Sequence, residues 1–220
     1  MRLCERRTCD DKKGILFDMD GTLINTYENI NFRQALSELK TVQKTLILKI
    51  LKSRVRSFAE METRILQEVE DPAEGKELVR RVSDFLLEHY DNAPLKKDAL
   101  MFLQYVKQKN YKICLCTNNA TEIVSHILRE KHMEAYFDYV ITSQQVTRSK
   151  PDPQMYLEAL HNIDLTAEEC IVFEDTENGV MAARNAGIDV IVVNDKEKRK
   201  YSDALMTIRD FGDYRLYQEF

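Results

Sequence analysis

The stretch GILFDMDGT, residues 14–22, joins a short apolar run to two carboxylates and a glycine. Its first part is apolar on both faces, which is typical of a parallel strand buried between helices. Similar runs occur at 111–117, 138–143, 170–175 and 189–194. Helical periodicity fills the intervals at 95–109, 119–133, 153–162 and 177–187. Strand alternating with helix in this way predicts an α/β fold with a doubly wound parallel sheet.

The segment from residue 26 to residue 94 breaks this rhythm, because its apolar residues recur at helical spacing and form no clear strand. We interpret it as three to five helices that form a separate cap, with hinges near 24–28 and 91–95. The predicted domains are a core of residues 1–25 and 95–220 and an α-helical cap of residues 26–94. Residues 204–211 then turn weakly apolar, which favours one more short element at the edge of the sheet.

Polar and mostly charged residues stand where four of the predicted strands end. Because ligands of an open α/β sheet bind beyond the carboxyl ends of its strands, we expect these residues to meet at one edge. Along the chain they are Asp18, Asp20, Gly21 and Thr22, then Thr117, Asn118 and Asn119, then Lys150, and last Glu174 and Asp175.

This set of residues suits the chemistry of a phosphate ester. Magnesium binds one or two carboxylates together with water and phosphate oxygens, and it neutralises the repulsion between a carboxylate nucleophile and a phosphoryl dianion. Asp18 can attack phosphorus, while Asp20 protonates the leaving oxygen and later deprotonates water. Lys150 can grip the phosphoryl oxygens, and the Thr117 hydroxyl with the backbone N–H groups that follow it can complete the cradle. Gly21 permits the turn that brings Asp20 to the same side.

The four motifs resemble those of the haloacid dehalogenase superfamily of phosphotransferases, in the branch with an α-helical cap between the first two motifs. They read DMDGTLINT at 18–26, CTNN at 116–119, SKPDP at 149–153 and FEDTENGVMAARNAG at 173–187. The resemblance implies a Rossmann-like core with the strand order 5-4-1-2-3 and a bound Mg²⁺ as cofactor.

The resemblance also implies a role for each strand-end residue. Asp18 is the expected nucleophile and a magnesium ligand, and Asp20 is the expected general acid/base, whose backbone carbonyl is a second ligand. Asp175 is expected to bind the metal directly or through water, and Glu174 to support it as part of the metal site. The expected phosphate-binding residues are Gly21, Thr22, Thr117, Asn118 and Lys150, and of these Thr117 and Lys150 hold the phosphoryl oxygens.

The predicted function is that of a phosphatase, a phosphoric monoester hydrolase that acts on a small phosphorylated metabolite through an aspartyl-phosphate. A sugar phosphate or a related organophosphate is the expected substrate. A β-phosphoglucomutase-like phosphosugar mutase is the alternative, since FEDTENGV resembles those members, although Ile30 stands where they carry histidine. Asp20 argues against a dehalogenase, which lacks that second aspartate. A non-catalytic binding protein on the same fold is the alternative from another class, because a fold alone does not establish activity.

The composition indicates which partners and which cellular compartment to expect. The net charge is −5 with both signs spread along the chain, which argues against a nucleic-acid-binding surface. No apolar run approaches the roughly 20 residues that span a bilayer, and the charged N-terminus lacks the apolar region of a signal peptide. Cys114 and Cys116 are expected as reduced, buried residues on one face of a strand, which favours the cytoplasm. We expect a monomer or a small homo-oligomer.

A local excess of basic residues marks the predicted cap. Lys49, Lys52 and Arg56 fall on one helical face, with Arg54 nearby. A solvated basic face is the simpler interpretation. The other hypothesis is that one of these side chains contacts an anionic leaving group.

Overall fold

The computed structural model of the 220-residue chain describes residues 11–26, 39–52, 57–193, 201 and 204–220. Six parallel strands form one sheet in the order β3-β2-β1-β4-β5-β6. They are β1 (Gly14–Phe17), β2 (Lys112–Cys116), β3 (Tyr139–Ile141), β4 (Cys170–Glu174), β5 (Asp189–Val193) and β6 (Met206–Ile208). The first five strands stand in the expected order, and β6 is the short edge element that the weakly apolar tail indicated.

Helices connect the strands and cover both faces of the sheet. Those of the described residues are α1 (Thr41–Lys52), α2 (Phe58–Glu68), α3 (Pro72–Asn92), α4 (Ala99–Gln108), α5 (Thr121–Glu130), α6 (Gln154–Ile163), α7 (Glu177–Asn185) and α8 (Leu216–Glu219). Two further 3₁₀ turns flank β3, at Glu134–Tyr136 and Ser143–Gln145. The predicted class, a doubly wound parallel α/β fold, is confirmed.

Alternate residues of each strand pack on opposite faces of the sheet, as the strand period of two requires. On one face, the rings of Phe17 and Phe173 stack with their centroids 4.9 Å apart, and Phe102 of α4 packs against both. On the other face, Leu16 and Val172 pack in a second cluster with α6 and α7. Every residue of β1 is buried, so its apolar side chains pack in both layers.

The cysteines of β2 lie where the strand period places them. Cys114 and Cys116 are buried together in the α6–α7 layer, and both are free thiols, as is Cys170 of β4. Cys4 and Cys9 lie outside the described residues. No described helix combines the length and the apolar character needed to cross a membrane. The cytoplasmic location stays a prediction.

The described part of the predicted cap is helical, formed by α1, α2 and α3. Ser57 caps α2, because its hydroxyl accepts a hydrogen bond from Glu60 N at 3.1 Å. Asp71 caps α3 in the same way, and Pro72 occupies the first helical position, where no N–H is needed. Residues 27–38 and 53–56 lie outside the described residues, so the division into a core of 1–25 and 95–220 and a cap of 26–94 stays a prediction.

The two connections between the helical insertion and the sheet run side by side. Ile24 and Leu95 form an antiparallel bridge, and Lys96 N donates to Leu23 O at 2.8 Å. These bonds occupy residues that the periodicity assigned to a helix over 95–109. Helix α4 therefore begins only at Ala99, after Asp98 has turned the chain with a φ of 60°.

Candidate active site

Asp18 follows β1 and is held at the carboxyl edge of the sheet by an ammonium group. Its backbone N–H continues the strand ladder to Phe173 O at 2.9 Å, and its carboxylate is buried. Lys150 Nζ donates to Asp18 Oδ1 at 2.8 Å, to Cys116 O at 2.8 Å and to Glu174 Oε1 at 2.6 Å. An ammonium has three N–H donors, so all of them are engaged. Lys150 can thus bind a phosphoryl oxygen only by exchanging one of these partners.

Glu174 ends β4 and is fully buried, with both carboxylate oxygens engaged. Its Oε1 accepts from Lys150 and from the Tyr156 hydroxyl at 3.0 Å. Its Oε2 accepts from Asp175 N at 3.1 Å and from the backbone and hydroxyl of Thr176 at 3.2 and 3.1 Å. With its lone pairs used in this way, Glu174 is suited to orienting Lys150 and the turn after β4.

The carboxylates of Asp18, Glu174 and Asp175 form a compact acidic cluster. Each offers an oxygen, and these oxygens lie within 4.8 Å of one another. Asp175 Oδ1 is buried and has no hydrogen-bond partner among the described residues. A buried oxygen without a donor is costly unless something else compensates its charge. Hard oxygen ligands of this kind fit a divalent cation such as Mg²⁺.

Burial and neighbouring charge both shift the pKa values of the cluster. Burial, together with the nearby charge of Glu174, raises the pKa of Asp18 to about 8, although Lys150 opposes the shift. Burial and the charge of Asp18 raise the pKa of Asp175 to about 9. Burial alone would lower the pKa of Lys150, but Asp18 and Glu174 hold it well above its usual value. A cation near Asp175 would relieve the repulsion that raises the carboxyl values.

Asp20 lies outside this cluster and is held by two side chains. The Tyr90 hydroxyl donates to Asp20 Oδ1 at 2.6 Å, and Asn119 Nδ2 donates to Asp20 Oδ2 at 2.6 Å. Asn119 Nδ2 also contacts the Tyr90 hydroxyl at 2.6 Å. Burial raises the pKa of Asp20, and the hydrogen bond from Tyr90 partly offsets that shift.

The remaining predicted phosphate-binding residues surround the same edge. Gly21 takes a φ of 78°, a left-handed conformation that favours glycine, and so turns the chain after Asp20. Thr22 Oγ1 is buried without a hydrogen-bond partner in the described part of the chain. The Thr117 hydroxyl accepts from Asn119 N at 3.2 Å, and Asn118 O accepts from Phe58 N of α2 at 3.1 Å. The helical insertion therefore contacts the core at the second motif.

The structure brings together the strand-end residues that the sequence singled out, and it adds side-chain contacts that the motifs do not predict. Tyr90, Asn119 and Tyr156 contact Asp20 or Glu174 through side-chain hydrogen bonds. Asn119 stands in the second motif, but nothing in the sequence ties it to Asp20. For Tyr90, only its position just before the predicted hinge at 91–95 could have drawn attention to it.

The basic residues of the predicted cap are only partly described. Lys49 Nζ bonds both carboxylate oxygens of Glu68, at 2.7 and 2.8 Å, on the exposed surface of the insertion. This pairing supports the simpler interpretation of a solvated face for Lys49. The side chain of Lys52, together with Arg54 and Arg56, lies outside the described residues.

A family model described as haloacid dehalogenase-like hydrolase matches residues 15–193, most of the chain. The chain belongs to this family. Among its relatives is the phosphorylated carbohydrates phosphatase of Thermotoga maritima, 32% identical over an alignment of 188 residues that covers 81% of this chain and 83% of the relative. Pyrophosphatase PpaX of Bacillus mycoides is 28% identical over an alignment of 186 residues that covers 82% of each chain. The expectation of a hydrolase of the phosphatase type is thereby confirmed.

Solved structures share the fold of this chain. CbbY from Rhodobacter sphaeroides, solved in complex with phosphate, superposes with a TM-score of 0.71. The match covers 92% of this chain and 96% of CbbY at 23% sequence identity. At that identity the likeness bears on the architecture, a parallel sheet with a helical insertion, and not on the substrate.

Proposed function

We propose that this hydrolase is a Mg²⁺-dependent phosphatase that transfers the phosphoryl group of a small metabolite to Asp18 and then to water. The observation that carries the proposal is the Asp18 carboxylate itself. It lies buried at the end of β1, held by Lys150 at 2.8 Å and clustered with Asp175. The proposal is further supported by Thr117, which directly follows β2 beside β1, and by Gly21, which turns the chain after Asp20.

The acidic cluster would hold the metal. We assign the side chains of Asp18 and Asp175 as ligands, with the backbone carbonyl of Asp20 as a third. Glu174, whose oxygens already accept five hydrogen bonds, supports the site by fixing Lys150 and the turn at Asp175. When bound, the dication neutralises charge on the phosphoryl oxygens and on the nucleophile.

The residues of the chain then divide the reaction into two displacements. In the first, an Asp18 oxygen forms a bond to phosphorus as the bond to the leaving oxygen breaks, and that oxygen takes a proton from Asp20. In the second, Asp20 takes a proton from water, whose oxygen attacks phosphorus and frees the Asp18 carboxylate. Lys150 orients Asp18 throughout, and exchanging one of its three present partners for a phosphoryl oxygen would stabilise the added charge.

The relatives support two candidate substrate classes. A sugar phosphate or related organophosphate is supported by the phosphorylated carbohydrates phosphatase, which matches at 32% identity over most of both chains. Pyrophosphate is the second candidate, because PpaX relatives are named pyrophosphatases. A panel of sugar phosphates, pyrophosphate and the glucose phosphate isomers separates these two activities from a phosphosugar mutase, which would interconvert the isomers instead of releasing phosphate.

Acid quenching during turnover of ³²P-labelled substrate tests the mechanism. We expect label on the peptide that contains Asp18, lost on alkaline treatment and absent from Asp18→Asn. Labelled protein from Asp18→Asn, or unimpaired phosphate release by that variant, contradicts the nucleophile assignment. Chelation should stop the labelling, and added Mg²⁺ should restore it.

A further inference from the structure

We propose that Tyr90 and Asn119 are positioning residues that orient the carboxylate of Asp20. The inference rests on the acid/base role proposed above for Asp20. The three side chains form a closed ring. Tyr90 donates to Oδ1, and Asn119 Nδ2 donates to Oδ2 and to the Tyr90 oxygen, with all three distances at 2.6 Å.

The two partners hold different oxygens of the Asp20 carboxylate. The NH₂ group of Asn119 only donates, so it holds Oδ2 as long as that oxygen is an acceptor. A hydroxyl both donates and accepts, so Tyr90 can donate to an ionised Oδ1 and can accept from a protonated one. Each oxygen of Asp20 thus has one of these two donors, and together the donors fix the plane of the carboxylate.

Asn119 is fixed on the core side of the ring. Its backbone N–H donates to Thr117 Oγ1 at 3.2 Å, and its carbonyl accepts from Ser143 N at 3.1 Å and from Ser143 Oγ at 3.0 Å. The loop after β2 therefore presents the amide group of Asn119 at a defined place.

Tyr90 is fixed on the side of the helical insertion. It is buried near the end of α3, and that end is bound to the core by Lys131. Lys131 Nζ donates to Asp91 O at 2.9 Å and to Ala93 O at 2.8 Å. One donor from each part of the molecule thus orients the Asp20 carboxylate.

Two phosphate esters of similar shape, phenyl phosphate and p-nitrophenyl phosphate, distinguish a misoriented general acid from damage to the whole site. Phenolate leaves as a base with a pKa near that of tyrosine, about 10, and needs a proton, whereas p-nitrophenolate is a much weaker base and needs little help. The ratio kcat/KM covers the steps through transfer to Asp18. For Tyr90→Phe we expect kcat/KM to fall about five- to tenfold on phenyl phosphate and less than about twofold on p-nitrophenyl phosphate, since general acid catalysis contributes roughly 10²- to 10⁴-fold.

Three further variants complete the test. Asn119→Ala should show the same selective loss, to a greater extent, and it decides the question if Tyr90→Phe does not fold. Asp20→Asn should show the largest selective loss, and Tyr90→Phe should add nothing to it. Tyr217→Phe is the matched control: it removes a hydroxyl that donates to Phe211 O at 3.1 Å, and both esters should react as before.

Equal losses on the two esters for Tyr90→Phe and Asn119→Ala overturn the inference, because the ring would then serve the fold or the site as a whole. An unchanged rate, or a faster reaction of phenyl phosphate, overturns it as well, since the hydroxyl would then be idle or would restrain Asp20. If Asp20→Asn itself shows no selective loss, the acid/base role in the proposed function fails, and the ring loses its catalytic basis. The phosphorylation of Asp18 would still stand on its own test.

Discussion

The pH dependence of Mg²⁺ binding is the prediction that the acidic cluster makes most directly. The pKa of Asp18 is raised to about 8 and that of Asp175 to about 9, chiefly by burial and then by neighbouring carboxylates. A carboxyl group whose pKa lies one unit above the pH is about nine-tenths protonated. Mg²⁺ binds the ionised groups, so its binding at pH 7 should displace close to two protons. The affinity should then rise by up to about a hundredfold per pH unit between pH 6 and 7 and should level off above about pH 9.

Titration calorimetry in two buffers with different ionisation enthalpies counts these protons directly. Asp213→Asn provides the control, because its hydrogen bond with Arg215 already lowers the pKa of Asp213 and the group does not titrate between pH 6 and 9. That variant should release the same number of protons as the natural chain. Release of fewer than about one proton at pH 7, or an affinity that does not change between pH 6 and 8, would refute the reasoning.

The pH dependence of the stability of the metal-free protein is a second test of the raised pKa values. The pKa of Asp18 rises from 3.8 to about 8 and that of Asp175 from 3.8 to about 9, so the folded state binds more protons than the unfolded chain within that range. The free energy of unfolding should therefore fall as the pH rises from about 4 to about 9. Added Mg²⁺ should raise the unfolding temperature more at pH 8 than at pH 5. An opposite slope in thermal unfolding would show that the cluster is not strained in this way.

Three substitutions test how the site and the core are held. Lys150→Met leaves Asp18 and Glu174 buried without their cation, so the free energy of unfolding at pH 7 should fall by about 3–5 kcal/mol in denaturant titrations and turnover should be lost. Gly179→Ala places a Cβ on the Glu174 carboxylate, which must then move, and kcat should fall on the order of a hundredfold in steady-state assays. Phe102→Ala leaves a cavity in the aromatic layer. The free energy of unfolding should fall by about 3–5 kcal/mol, while KM stays unchanged.

The strands could be predicted from the sequence because their burial is uniform. Residues 14–17 and 170–174 are buried at every position, so an apolar run identifies them without any knowledge of their partners. The start of α4 could not be predicted in the same way. Leu95 and Lys96 fit a helical pattern, but their pairing with Ile24 and Leu23 depends on two connections meeting in space.

The candidate site divides along the same line. Asp18, Thr117, Lys150 and Asp175 could be predicted from their positions at or after strand ends. A charged or polar residue that follows a buried run is expected at the edge of the sheet. The contacts between side chains remain hidden, because Tyr90 reaches Asp20 across 70 positions and no periodicity links them. The hydrogen-bond acceptors of Lys150 could not be predicted either, because several nearby oxygens could accept from its three N–H groups.

The charge balance of the site explains why the fold keeps so strained a cluster. If all of them ionise, Asp18, Asp20, Glu174 and Asp175 place four negative charges near the single ammonium of Lys150. Hydrogen bonds compensate part of this excess negative charge. Protonation of carboxyl groups with raised pKa values removes another part, and the raised values lower the stability at neutral pH. A divalent cation removes two of the three excess charges, and it does so where Asp175 Oδ1 has no donor among the described residues. Burial and then repulsion weaken the metal-free fold at this cluster, and a dication bound there would offset both.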